Sequence, residues 1–547
     1  MPTPTPTPTP APTPTPTPTP TPKPTPRFVD SSNPNRYGYV PHLQVDGKEV
    51  DAASYKRSEK IELGDSTIYT QVPGVLTFRG NNYRNLSASS ELNLTEYKLS
   101  VVERFGIGSL KKGSGSGSWS GCGWTGQPLI VQWDEEVKAT LNRYEWAKQK
   151  ANLVEVIYPT EDGHIYFLDL ETGKKTRDDL NFRMPFKGTG SIDPRGLPLL
   201  YVGSGDEYEE EDQKSRAMII SLIDGRKLYE FGIQGREPFA VRQWNAYDSA
   251  PLVDEQTDTL IWPAETGILY TMKLNTVFDA RGGTISVNPS HIVKLRYDSN
   301  NSYDKIDKAD SSHKWLGYEG SAAAWNGFIY LASNDGLFQC IDLNTMQIKW
   351  IADTKDDTNA SPVLDVISET EAYLYVGTSL HFTQDSGHKG VTPFFKINAM
   401  TGEIMGQYQL TVETVSGVSG GIQATAALGQ NNLSDLVFVP FARYGGKDKG
   451  VLVALRKDTL EKEWDMPMEN YAWSSPAIFY NSKGDGYLIQ ADSKGNIFLI
   501  EGRTGKVLDK INPTKNGSNF EASPALFGNM LVLGSRGDKT IFFIRLS

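Results

Sequence analysis

Eight polar or aromatic side chains recur at one fixed place, three residues ahead of a Pro or Ala that leads into an apolar run. They are Thr125, Arg195, Asp248, Glu319, Asn359, Gln423, Trp473 and Glu521. A position used only for packing would be apolar or uniform. This one carries carboxylates, amides, a guanidinium, a hydroxyl and an indole. Aromatic residues stand beside it: Trp124, Tyr247, Tyr318, Tyr471 and Phe520, with Trp244 and Trp315 slightly upstream. Carboxylates interleaved with aromatic faces suit a sugar, a cation or a flat cofactor, through stacking and hydrogen bonds. The same column serves equally well as a solvated rim whose hydrogen bonds lock neighbouring repeats.

The elements that must position this column are repeats. Each opens with a small-residue turn and an apolar strand, as in "TGQPLIV" from 125, "RGLPLLYV" from 195, "DSAPLV" from 248 and "EASPALF" from 521. A second strand follows, such as "GFIYLAS" at 327–333, and a third, such as "GLFQCIDL" at 336–343. A hinge like "DLETGKK" or "NAMTGEI" then leads to a fourth strand. Four short strands joined by tight turns are the unit of a β-propeller, and a period near 40 residues fits one blade. The tightest copies, Glu319 to Asn359, are about that far apart. Longer copies carry polar insertions at 206–214, 281–313 and 382–390. The last copy, "KTIFFIRLS" at 539–547, lacks a fourth strand, and "TEYKLSVVERFGIGS" at 95–109 has that pattern with no blade before it. Pairing the two ends removes exposed sheet edges. The expected fold is all-β: an eight-bladed β-propeller completed by an N-terminal strand.

Other chemical signals point to structure. "GVSGG" at 417–421 precedes a strand instead of linking strand to helix, so Ser419 reads as a loop residue and not a nucleophile. "GSGSGSWSGCGW" at 113–124 lacks the Gly-Lys-Ser/Thr ending of a phosphate cradle and reads as a flexible lip. The six histidines show no metal spacing, and His164 reads as a hairpin-turn residue. Cys122 and Cys340 stand in unlike contexts, so neither a disulfide nor a zinc site is expected. The acidic run 206–212 reads as a solvated hairpin tip.

The chain has 547 residues, 38% of them hydrophobic, and a net charge of −11. That acidity excludes a nucleic-acid footprint, and no stretch is apolar enough to span a membrane. Three regions follow. Residues 1–27 are a Pro/Thr stalk, 28–94 an irregular preface and 95–547 the propeller. Alternating Pro fixes φ and removes N–H donors, so the stalk is an extended polyproline-II rod of the sort carried by exported proteins. An extracellular or cell-surface location is expected, with an upstream signal or anchor absent from this chain. A monomer is expected.

The Thr-Gly hinge and the Ser-Pro or Ala-Pro opening resemble the PQQ-like repeat of eight-bladed quinoprotein alcohol dehydrogenase-like propellers. That family also includes the outer-membrane assembly lipoprotein BamB. The preface "TFRGNNYRN" at 77–85 resembles the Phe-Arg-Gly-Asn lead-in of its non-enzymatic members. The resemblance implies that Trp350 and Trp464 dock one blade on the next and that ligands bind at the channel mouth. It makes Trp124, Thr125, Arg195, Trp244, Asp248, Tyr318, Glu319, Asn359, Gln423, Trp473 and Glu521 the candidate ligand-binding set. No catalytic residue, metal site or cofactor is expected. The favoured function is non-catalytic recognition of a carbohydrate, peptide or protein partner. Two alternatives are a dehydrogenase using pyrroloquinoline quinone (PQQ) and Ca²⁺ at Trp473, Glu319 and Asn359, and a BamB-like assembly scaffold. The enzymes' adjacent cysteine pair is missing.

Overall fold

The computed structural model describes residues 1, 24–86, 88, 91–113, 115–123, 126–242, 244–300, 315–415 and 419–547. The Pro-Thr tract at 2–23 and the candidates Trp124 and Thr125 lie outside them. Eight antiparallel blades form a β-propeller. Blade four is the plainest: Ala323–Trp325 innermost, then Phe328–Ala332, Leu337–Asp342 and Gln347–Asp353. Its second strand is buried at every position, because neighbouring blades cover both faces of the sheet. That is why the inner strands read as unbroken apolar runs without a period of two. The fourth strand of blade eight is Leu99–Gly106, paired with Thr540–Leu546.

Blade two departs from the sequence reading. Its innermost strand is Ser191–Ile192, and the run after Pro198, Leu199–Gly203, is its second strand. The preface is also less irregular than expected. Val40–Val45 and Lys48–Val50 form a hairpin whose first strand pairs with Ser290–Asp298, covering the outer edge of blade three. Blade one carries two short helices, Glu135–Thr140 and Glu145–Gln149, between its first and second strands.

The repeat residues join blade to blade. Trp350 of blade four donates Nε1–H to the Ala399 carbonyl of blade five at 2.9 Å, and its ring lies over Gly402, where a Cβ would fall 2.5 Å from it. Trp464 repeats the contact with Gly502 and Gly505 of blade seven. The hinge Gly is therefore required twice, for a positive φ (69° at Gly402) and for room. Nearer the axis runs a girdle of hydroxyls. The N–H of Ala250 donates to Ser321 Oγ, Ser321 to Ser361, Ser361 to Thr425, Thr425 to Ser475 and Ser475 to Ser523, each at 2.8–3.1 Å. The Ser or Thr of the blade opening is thus a blade-to-blade staple that satisfies a buried N–H.

Residues 74–86 cross the channel as a plug. Gly74–Val75 pairs with the innermost strand of blade one, and Thr77 bonds Ser191 of blade two. Arg84 donates to the Ala250 and Ala322 carbonyls at 2.9 and 2.8 Å, and Arg79 to those of Ala426 and Pro476 at 3.3 and 2.5 Å. Asn82 reaches Ala324, and the Tyr83 carbonyl accepts from Leu364. Both guanidiniums are at most 1% exposed, and burial pushes them down to about 9 for Arg79 and about 10 for Arg84. They stay charged at neutral pH.

Candidate functional site

In each blade the segment entering the first strand and the turn between the second and third strands lie at the same end of the propeller. Polar side chains from these two sources meet there above the plug, around a small well of about 20 Å³ that Phe78 also lines.

Blades four to six supply an arc of amides. Asn334 donates to Asn359 Oδ1 at 2.9 Å and to Asp357 Oδ1 at 2.7 Å. Asn359 donates in turn to Gln423 Oε1 at 3.0 Å. Arg242 holds the outer end through Asn334 Oδ1 at 2.9 Å. Beyond Gln423, Trp473 and Arg443 both donate to the Ser419 carbonyl, and the Arg443 guanidinium lies 4.1 Å from the centre of the Tyr471 ring. Ser419 is a buried anchor, its Oγ accepting from the Val415 N–H.

Blades eight to four supply charged groups. Arg536 joins Glu521 at 2.6 Å and Glu161 at 3.3 Å. Lys187 Nζ lies 3.2 Å from Asp248 Oδ2. Burial pulls the Lys187 ammonium down, but Asp248, Glu265 and Glu319 outweigh it and hold the group above its ordinary value. Burial, reinforced by Asp248 and Glu319, raises Glu265 well above the usual carboxylate range. Trp119, on the hairpin of Ser109–Lys111 and Ser118–Ser120, covers this side. It donates to Asp206 Oδ2 at 2.6 Å and stacks with Lys187 and Arg536, each 5.6 Å from its ring centre. The Gly-rich lip is fastened here, and Asp206 is a buried acceptor instead of part of a solvated tip.

Asp248, Glu319, Asn359, Gln423, Trp473 and Glu521 come together at this mouth. Trp244 joins them, with Lys187 5.0 Å from its ring centre. Tyr318 packs in the core instead, 1% exposed. Arg195 is a correction. It pairs with Asp193 and Asp258, each at 2.7 Å, in turns at the opposite end of blades two and three. Pro198 introduces a second strand, so the position four residues before the innermost strand of blade two belongs to Lys187. Sequence reasoning also missed the turn residues Glu161, Glu265 and Asn334. Each stands just ahead of Asp-Gly or Thr-Gly in "TEDG", "AETG" and "SNDG", which was the available signal.

No protein-family model and no curated protein matches the chain. Solved structures do. Quinohemoprotein alcohol dehydrogenase ADHIIG from Pseudomonas putida HK5 is 10% identical over 89% of this chain and 83% of its own, with a TM-score of 0.51. The fold is that of the quinoprotein-type propeller. BamB from Moraxella catarrhalis is 13% identical over 76% of this chain and 96% of its own, with a TM-score of 0.43. The enzyme from Comamonas testosteroni is 10% identical over 87% and 80%, with a TM-score of 0.43. Identities this low bear on the quinoprotein-type fold alone.

At this mouth, burial and nearby Glu521 push Glu161 up to about 7 against the pull of Arg536, and burial takes Asp357 to about 7. A raised carboxylate binds its proton in the folded chain after the unfolded chain has lost it, so its contribution to stability declines as pH rises from about 4.5 to 7. Glu161→Gln removes that decline. Relative to the parent, the variant should gain about 2 kcal/mol between pH 5 and pH 8, read from urea midpoints at the two values. An unchanged difference would mean that Glu161 is ionised throughout.

Proposed function

We propose that the chain is a non-catalytic binding module that takes a polar ligand, a glycan or a peptide end, in the well at the propeller mouth. One observation carries this reading. Among the described residues, the cavity on the axis measures about 20 Å³ and is floored by Phe78 of the plug. Organic ligands of cofactor size fill hundreds of Å³, so this floor takes only a small group of any ligand, and the remainder would lie in the mouth above it. Cys122 and Cys340 are both buried free thiols, one near Gly534 and Tyr158, the other in the core of blade four. Half-buried Trp244, Trp315 and Tyr471 offer stacking faces at the mouth, above a buried network of amides and carboxylates. The Pro-Thr composition supports a cell-surface location.

The test is to probe glycan and peptide arrays with the labelled full chain. A discrete set of ligands should bind, and Gln423→Ala should weaken each at least tenfold. Thermal unfolding with PQQ and Ca²⁺ supplies the opposite outcome: a saturable rise in melting temperature that Glu319→Gln abolishes would overturn the binding-module reading.

A further inference from the structure

Among the described residues, one blade keeps a long outer edge without protection. Blade five runs Val363–Val366, Ala372–Gly377, Lys389–Asn398 and Ile404–Glu413, the last being its outermost strand. Pro393 stands opposite Gln409, and the Pro393 carbonyl accepts from the Thr378 N–H on the inner side. In an antiparallel ladder the N–H and C=O of one residue point the same way, and the direction alternates along the strand. Those of Gln407, Gln409 and Thr411 therefore point away from the blade. Glu413 continues the series, and its N–H reaches the Arg443 carbonyl of blade six at 3.1 Å. The other three meet no main-chain partner among the described residues, and their side chains are exposed. A space of about 620 Å³ lies between this hairpin and the end of blade four's outermost strand.

The other blades guard their edges. Val40–Val45 pairs along blade three, and Asp30–Ser32 and Pro34–Tyr37 lie against the outermost strand of blade four. Blade one ends in the short strand Leu180–Asn181. The fourth strands of blades two, six, seven and eight carry charges of both signs, as in Lys462–Met468 and Leu99–Gly106. Covering segments, short strands and charges are the usual protections against edge-to-edge pairing. Residues 404–412 have no charge and no Pro, in a chain of net charge −11. Apolar side chains stand out beside them: Ile404 is 39% exposed, Met405 50% and Val391 45%.

We infer that this edge is a self-association surface, on which two copies of the chain pair their Ile404–Glu413 strands antiparallel about a two-fold axis. The symmetry of the edge selects a second copy as its occupant. With the axis at Gln409, that residue faces its own copy and each Gln407 faces a Thr411, so every outward N–H meets a C=O. A neutral strand meets no like charge on its copy, whereas two acidic surfaces repel. A ladder this short buries less than the roughly 800 Å² per partner of a standard interface, so the dimer forms reversibly. It takes the place of the monomer expected from the sequence.

Sedimentation equilibrium of the full chain should show the mass rising from monomer to dimer as concentration increases a hundredfold. Hydrogen exchange at the Gln407, Gln409 and Thr411 amides should slow as the dimer forms. Gln409→Lys sets like charges across the axis and should keep the chain monomeric with its melting temperature unchanged. Gln409→Pro removes an outward N–H that the blade itself does not use and should act in the same way; where proline disturbs the blade, the lysine variant decides. Gln409→Thr, neutral and suited to a strand, should leave the dimer in place. A chain that stays monomeric throughout would overturn the inference. So would a dimer that Gln409→Lys leaves intact. Amides already protected at the lowest concentration would overturn it too, by showing that another segment of the same chain covers the edge.

Discussion

Arg84→Met should lower stability by about 3–5 kcal/mol, measured as the free energy of urea unfolding. The guanidinium donates to the carbonyls of Ala250, Ala322 and Phe78 and to Thr77 Oγ1, all within 2.8–3.0 Å. Methionine fills much of the volume and supplies none of these donors. The carbonyls would be left dry, each costing about 1–3 kcal/mol before relaxation. Among the described residues no carboxylate pairs with Arg84, so added salt should leave the loss unchanged, unlike that of a surface ion pair. Arg84→Lys should restore little, because one ammonium cannot reach blades three and four in the guanidinium's fixed fork. A loss below about 1 kcal/mol would show that the plug is dispensable to the ring.

Lys187→Met should cost a similar amount, about 3–5 kcal/mol, by leaving the buried Asp248 without its ion-pair partner. The cost should also depend on pH. In the variant Asp248, without its counter-cation, holds a proton in the folded state that the unfolded chain has released, so the variant weakens relative to the parent as pH rises from about 5 to 8. Urea midpoints at the two values test this. A pH-independent deficit would instead attribute the loss to the contacts of the Lys187 ammonium with the Trp119 and Trp244 rings.

The fold was legible because its signals repeat. Gly402 and Gly505 mark hinges that must admit a Trp ring, and Ser321, Ser361 and Ser475 mark staples that must accept an N–H. Where one copy departs from the pattern, the reading failed. Blade two has an innermost strand of only two residues, Ser191–Ile192, so the stronger apolar run after Pro198 took its place and Arg195 stood in for Lys187. The turn residues Glu161 and Glu265 were overlooked because a polar residue beside Asp-Gly or Thr-Gly ordinarily faces water. The plug was invisible for a related reason. Arg79 and Arg84 look like surface residues, and only the ring of inward carbonyls explains their burial.

The plug and the last strand pairing set the order of assembly. Residues 74–86 leave the ribosome before any complete blade, yet their hydrogen-bond partners reach as far along the chain as Pro476. Leu99–Gly106 must wait longer still, for Thr540–Leu546 at the end of the chain. Contacts this distant in sequence slow folding, because loop-closure entropy is spent before the contact repays it. The same arrangement works in reverse once the ring exists. A blade cannot peel away without releasing the axial segment and its neighbours together, so local opening is suppressed and escape from the native state is cooperative. Such a molecule persists through a slow unfolding rate as much as through its equilibrium stability.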